Sequence, residues 1–405
     1  MNIQYVQGKP LFTYINKNKK QYPYLTQDLE TDVCIIGGGV TGAIASYYFS
    51  KNNIKTTVLE KKRIAHLSTS VTTSLLQYEL DDNLSDLKEC TTIENGLTSY
   101  KLGIKALDEI KEFIDKYGNE CDYKKRDTLL YTSRKDEVNG IKIEYNLRKE
   151  NGLDVQYIDE NSSDYSFDIK AGIISKNGGA ELDPYKYTNQ LIEVALSNGI
   201  NVYENTEVVD LIHYDSYVEV ITEYGYKVKA KKVIVATGYN TQLFTNRNFA
   251  TKTTTFNIVT KPVFNFDGWK DKILIRDNCD PYNYLRTTAD NRIIIGGEDV
   301  DFIPDIFNEK LADEKYDILE NRLKSMFKYI KNIEIDFKYC GTFASTPDNL
   351  GFVGPDKKHN NLWYLLGYGA NGILFAILGA MMLCQLYDGK ENKYMKLFKV
   401  DRFDN

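Results

Sequence analysis

The chain reads as an α/β protein of two domains, one of them built on a mostly parallel sheet. Three stretches predict this. Thr31 to Glu60 (TDVCIIGGGVTGAIASYYFSKNNIKTTVLE) carries a short β-branched strand, a glycine-rich turn, a helix and a second strand in that order. Lys232 to Gly238 (KVIVATG) is a later apolar strand ending in a small-residue turn. Leu362 to Tyr387 repeats the plan, with a strand, the loop GYGANG and an apolar helix. At 405 residues the chain exceeds what one hydrophobic core supports well.

The first stretch is Rossmann-like. Gly37, Gly39 and Gly42 fit G-x-G-x-x-G: a tight turn, a close backbone approach to a pyrophosphate, and close packing of helix on strand. The helix is expected from about Val40 to Lys51, with its N–H groups and positive dipole end facing phosphates. Glu60 ends the second strand, where a carboxylate can accept from the ribose hydroxyls of an adenine dinucleotide. This motif by itself does not separate FAD from NAD.

The rest follows in chain order. Residues 1–28 are polar and aromatic and are expected as an irregular surface lead-in. Ser68, Thr69, Ser70, Thr72, Thr73 and Ser74 form a hydroxyl cluster. It can cap a helix, hydrogen-bond a ligand, or do both. Gly96 to Tyr117 has helical apolar spacing. A strand (Arg126 to Thr132), a helix (Arg134 to Asn151) and a short strand (Val155 to Ile158) come next. Ala171 to Leu182 is expected as a hairpin about Asn177-Gly178-Gly179. Asp183-Pro184 starts a helix to Ser197, with Asp183 as N-cap and Pro184 in the first turn. Alternating strands span Val208 to Lys229. Beyond Gly238, Phe256 to Phe264 is a strand, and Asn283 to Gly297 (NYLRTTADNRIIIGG) is a hairpin. A helix over Glu309 to Phe327 and a strand over Phe337 to Phe343 complete this part.

Bulk properties narrow the function. A net charge of −6 argues against a nucleic-acid or anionic-membrane surface. Six cysteines without a C-x-x-C pair suit free thiols in a reducing compartment, and no apolar run follows a basic start at the N-terminus. A cytoplasmic protein is therefore expected. Three scattered histidines give no metal spacing. Ile373 to Leu386 is shorter than the ~20 residues of a spanning helix. Two glycine loops, each between a strand and a helix, can bring two positive helix ends to one long ligand. A reduced flavin, which gains charge at its N1–O2 edge, suits the second of them.

At this point the sequence resembles the D-amino-acid oxidase (DAO) superfamily of FAD-dependent oxidoreductases, which includes glycine and sarcosine oxidases and γ-glutamylputrescine oxidase-like proteins. The resemblance runs from about Asp32 to Tyr387. It rests on IIGGGVTG…VLEK, STSVTTSLL, LDPYKYTNQL with VYENTEVVDL, KVIVATG, PYNYLRTTADNRIIIGG, CGTFASTPDNLGFVGP and LGYGANGILF. It implies a DAO/glutathione-reductase-like FAD fold whose substrate part, of α+β character, is built on a mixed sheet. Residues 29–90, 180–245 and 338–405 would form the FAD-binding domain, and residues 91–179 and 246–337 the substrate domain. Gly37, Gly39, Val40, Thr41 and Gly42 would cradle the pyrophosphate, with Thr237 and Gly238 nearby. Glu60 would hold the adenosine ribose beside Lys61, and Val208 would meet the adenine. Ser70 and Thr73 would lie near the flavin, and Gly367, Gly369, Asn371, Gly372 and Ile373 along its pyrimidine edge.

The resemblance implies oxidation of a C–N bond in a small amine or amino acid, with hydride passing to flavin N5 and on to oxygen or a carrier. Several relatives place a Lys or Arg in the second glycine loop to hold a substrate carboxylate; Ala370 and Leu374 stand at those places here. Arg286 on the hairpin, with Tyr282 and Tyr284, is the expected substitute, since arginine grips a carboxylate bidentately. A surface hairpin arginine, or one paired with an acid such as Glu298, is the other reading of Arg286, and Lys261 and Arg292 are weaker candidates for the carboxylate. Cys340 is one position out of register with the flavin-linking cysteine of sarcosine oxidases, so non-covalent FAD is expected. Alternatives are a dehydrogenase of a 2-hydroxy acid or polyol phosphate, a flavin-bearing subunit without its own turnover, or an NAD-binding protein.

Overall fold

The structure is a computed structural model describing residues 6–16, 20–87, 91–160, 162, 164–304 and 307–404. Two sheets organise it. In the first, five strands run parallel in the order Leu362–Leu366, Lys227–Val235, Leu29–Ile36, Thr56–Leu59 and Asn201–Tyr203. Phe352–Pro355 is added antiparallel at one edge. Val208–His213 and Val218–Thr222 continue from Lys227–Val235 as an antiparallel meander. The apolar run Val33–Ile36 is explained by burial on both faces. Val33 and Ile35 pack in the cluster containing the helices Val40–Lys51, Pro184–Ser197 and Gly372–Tyr387. Cys34 and Ile36 pack on the other face with Val218, Val220 and Tyr364.

The second sheet is mixed. Its order is Val6–Gly8, Ile335–Ser345, Thr251–Thr260, Ile293–Asp301, Asn283–Thr287, Leu274–Asp277, Lys124–Thr132, Ala171–Glu181 and Leu75–Gln77, with Val155–Asp159 also on Ala171–Glu181. The pair Leu274–Asp277 with Lys124–Thr132 is parallel. The helix Glu309–Met326 covers one face through Tyr316, Leu319 and Leu323, against Phe256, Ile275, Leu285 and Ile295. Strand alternation then turns Asn257, Arg276 and Tyr284 to the opposite face.

Local signals set several ends. Asp183 accepts from the N–H groups of Tyr185 and Lys186 at 2.9 and 3.0 Å, capping the helix that begins at Pro184. Thr92 caps Ile93–Tyr117 through the N–H of Asn95. No helix among the described residues is long and apolar enough to cross a membrane.

Three expectations differ from the structure. Val6–Gly8 pairs with Ile335–Ser345, and Leu11 and Phe12 are buried, so the lead-in contributes a strand and a core helix. Its polar composition hid two well-placed apolar residues. Ala171–Glu181 is one strand rather than a hairpin. Asn177, at φ 51°, is held by Asp127 through its backbone N–H, and the register with Lys124–Thr132 shifts there, so the Asn-Gly-Gly run makes a bulge. Leu75–Gln77 and Ile335–Ser345 both run in the mixed sheet. They fall across the domain limits expected at residues 29–90 and 338–405, because sheet pairing is a long-range property.

A buried ionic cluster ties this sheet to its helices. Arg148, fully buried, donates to Glu144 at 2.8 Å and to Glu79 at 3.1 Å. Glu79 also accepts from Ser175 and Thr128. Arg148→Ala leaves two buried carboxylates without their cation. A loss of about 3–5 kcal/mol is expected, measurable by chemical denaturation of the purified protein.

Candidate active site

A cavity of about 620 Å³ runs between the two sheets, within the size range of small-molecule sites. At one end lies the first glycine loop. Gly37 has φ +112°, and a Cβ on Gly42 would sit 1.8 Å from the Gly37 carbonyl oxygen. Only hydrogen at position 42 lets the helix seat on the strand. Gly39 is the N-cap of Val40–Lys51 and offers no side-chain cap, so the first turn's N–H groups face the cavity. Thr69 takes one of them, accepting from the N–H of Val40 at 3.0 Å.

Glu60 lines the same end. Its two carboxylate oxygens accept from the N–H groups of Gly38 and Lys62 at 2.7 and 2.8 Å. Burial pushes its pKa up while those two hydrogen bonds pull it down. The bonds hold the carboxylate still and leave lone pairs for hydroxyl donors. Val40, Thr41, Lys61, Val208, Thr237 and Gly238 complete this end.

The second glycine loop borders the other end, with Gly367, Gly369, Ala370, Gly372 and Ile373 lining the wall. A Cβ on Gly367 would lie 2.1 Å from the carbonyl oxygen of Gly372, so the loop closes on itself only as glycine. The helix Gly372–Tyr387 again starts without a side-chain cap. Asn371 turns inward, donating to the Glu79 carbonyl at 2.7 Å. Two helix starts whose N-cap residues offer no side-chain cap thus meet one cavity, which suits a ligand with two anionic centres.

The mixed sheet supplies the remaining wall. Tyr284 Oη lies 3.0 Å from Thr255 Oγ1 and donates to Asn257 Oδ1 at 3.3 Å. Tyr282 donates to Asp299 at 2.9 Å. Burial, reinforced by Asp299, raises both phenol pKa values, so both are neutral donors. Arg276 donates from Nη1 to the carbonyl oxygens of Leu80 and Asp81 and from Nη2 to Asn83 Oδ1 at 3.5 Å, and it has no ion pair among the described residues. Asp81 lines the cavity beside it.

Several expected residues are placed elsewhere. Arg286 is buried, and its guanidinium donates to the carbonyls of Thr73, Thr287 and Leu182. It shares a strand face with Tyr284, but two residues along, where the chain at Thr73 and Leu182 crosses it. Its donors are spent there, and it borders a separate, smaller cavity of about 410 Å³. Arg286 therefore braces the hydroxyl segment and does not reach the large cavity. Glu298 pairs with Lys315 and Arg322 instead, Lys261 with Glu334, and Arg292 with Asp290 and Asp336. Thr73 lines the cavity, whereas Ser70 donates to the Leu67 carbonyl. The Cys340 thiol is buried with Phe256 and Tyr316 on the helix side of the sheet, its pKa pushed up to about 11 by burial.

Arg276 and Asp81 were not found from the sequence. Arg276 sits in ILIRD, where an apolar run ends in two adjacent charged residues, and no alternation in the sequence marks which of them faces the cavity.

Residues 32–386 match the family described as FAD dependent oxidoreductase (DAO), and the chain belongs to it. It is an FAD-dependent oxidoreductase. The chain is 23% identical over 94% of its length to a putative Rieske 2Fe-2S iron-sulfur protein of Bacillus subtilis, covering 73% of that protein. It is 22% identical to the γ-glutamylputrescine oxidoreductase of Escherichia coli, over 94% of this chain and 89% of that one. Its fold matches L-proline dehydrogenase from P. horikoshii with a TM-score of 0.79 at 18% identity, over 94% of this chain and 99% of that one.

Gly42→Ala, by forcing the helix off the strand, should weaken FAD binding at least about tenfold, or about 1.4 kcal/mol. The check is the flavin-to-protein ratio after purification, with helix content by circular dichroism unchanged.

Proposed function

We propose that this member of the FAD dependent oxidoreductase family oxidises the C–N bond of a small amino acid or related amine. The observation that carries the reading is Arg276. It is a cavity-lining guanidinium with no carboxylate partner among the described residues, flanked by the neutral phenols of Tyr282 and Tyr284. The donors that Leu80, Asp81 and Asn83 leave over, Nε–H and the remaining Nη2–H, suit a carboxylate. Two of the relatives named above act, by their names, on γ-glutamylputrescine and L-proline, both nitrogen compounds.

The roles follow from chemistry. Gly37, Gly39, Val40, Thr41 and Gly42 would hold the FAD pyrophosphate, with Thr237 and Gly238 alongside; Glu60, Lys61 and Val208 would hold the adenosine. Thr73 would lie beside the flavin, and Gly367, Gly369, Gly372 and Ile373 along its pyrimidine edge. Bound FAD supplies the acceptor for the hydride leaving the carbon next to nitrogen. Arg276 orients the substrate by its carboxylate, Tyr282 and Tyr284 narrow the entrance to the reacting carbon, and the two sheets exclude water. The substrate nitrogen must be neutral when the C–H bond breaks, because its lone pair stabilises the developing imine.

The test is anaerobic mixing of the yellow protein with amino acids, amines and 2-hydroxy acids. Bleaching by an amino acid is the expected result; bleaching only by hydroxy acids or polyol phosphates would overturn the reading. Admitting air then separates oxidase from dehydrogenase by the speed of recolouring. Arg276→Leu is expected to raise KM for the carboxylate-bearing substrate by about 10²-fold or more, from the 2–3 kcal/mol of a charge-assisted pair, with the visible flavin spectrum retained.

A further inference from the structure

The cavity wall next to Arg276 carries an anion that the reading above leaves unused. Asp81 lines the cavity, and its Oδ2 accepts from the N–H of Ala370 at 3.1 Å. That bond places the carboxylate on the second glycine loop, also 3.4 Å from where a Cβ on Gly369 would lie. Arg276 is anchored on the same turn of chain, 2.9 Å from the Asp81 carbonyl oxygen. Yet Asp81 and Arg276 form no ion pair with each other, nor does either with another described residue. A residue with no charge, Ala370, faces Asp81 across the loop. A cavity wall thus presents one cation and one anion near each other, neither in an ion pair among the described residues.

We infer that Asp81 is the ammonium site of the substrate pocket, accepting the proton that the substrate nitrogen must lose, so that Arg276 and Asp81 together select zwitterionic amino acids. The inference rests on the amine reading under Proposed function. The step balances without a redox partner: an N–H bond of the ammonium breaks, an O–H bond forms on the Asp81 carboxylate, and the nitrogen keeps the electron pair. Asp81 suits the task because it is held by a backbone N–H, which leaves its second oxygen for the substrate. Burial raises its pKa, Ala370 N–H and the charge of Arg276 lower it, and Asp82 and Asp299 raise it again. Tyr282 and Tyr284, which also feel Asp81, are neutral. The net shift is upward, toward the proton affinity a base needs.

Asp81→Asn retains an oxygen for the Ala370 N–H and removes only the charge. The expected result is a fall of about 10²-fold or more in the anaerobic rate of flavin reduction at neutral pH. The flat region of kcat/KM against pH should be replaced by a rise in proportion to hydroxide, since the variant must wait for neutral amine from solution. Propionate, a carboxylate without an ammonium, should bind the variant several-fold more tightly, read from the flavin absorbance shift. In the unaltered protein propionate should bind more tightly as pH falls through the pKa of Asp81. That trend should survive in Asp299→Asn, which keeps the measurement decisive if Asp81→Asn fails to hold flavin. An unchanged pH profile in Asp81→Asn, or propionate binding indifferent to pH in the unaltered protein, overturns the inference while amino-acid bleaching stands. Bleaching by hydroxy acids alone overturns both readings.

Discussion

Two helices start at one cavity with N–H groups that their N-cap residues leave unsatisfied, Thr69 taking only that of Val40. Left without a ligand, such groups are a cost, and the fold is arranged to hold them in place. The first start is fixed by contact between Gly42 and the Gly37 carbonyl, the second by contact between Gly367 and Gly372. Bound FAD would bring negative charge to such starts. The parallel sheet sets the separation between them, because both helices follow strands of that sheet.

What joins the two starts is the segment from Thr69 to Asp81. Thr69 meets the first helix at the N–H of Val40. Glu79 and Asp81 meet the second loop through Asn371 and Ala370. Arg286 holds the middle of the segment at the Thr73 carbonyl, and Arg148 holds its end through Glu79. Two buried arginines thus support the cavity from behind. Arg286 directs Nε, Nη1 and Nη2 to three carbonyls, which keeps it from a substrate in the large cavity.

The dinucleotide end was legible from residues close in sequence. Strand, glycine turn, helix and terminal acid all lie within Thr31 to Glu60, and their geometry follows from local chain chemistry. The substrate end was legible only in part. Tyr282 and Tyr284 line the cavity as alternation suggests, but the same alternation pointed to Arg286. Nothing in PYNYLR reveals that the chain at Thr73 and Leu182, over a hundred positions away in sequence, crosses that arginine.

The sequence by itself determined the two strand–loop–helix units, their glycines and Glu60, because backbone conformation and close approach are local demands that only particular residues meet. Only the tertiary structure decided which charges face the cavity. That choice depends on carbonyls brought from elsewhere in the chain. They take up the nitrogens of Arg286, and they hold Arg276 on the cavity wall near Asp81 with no ion pair between the two.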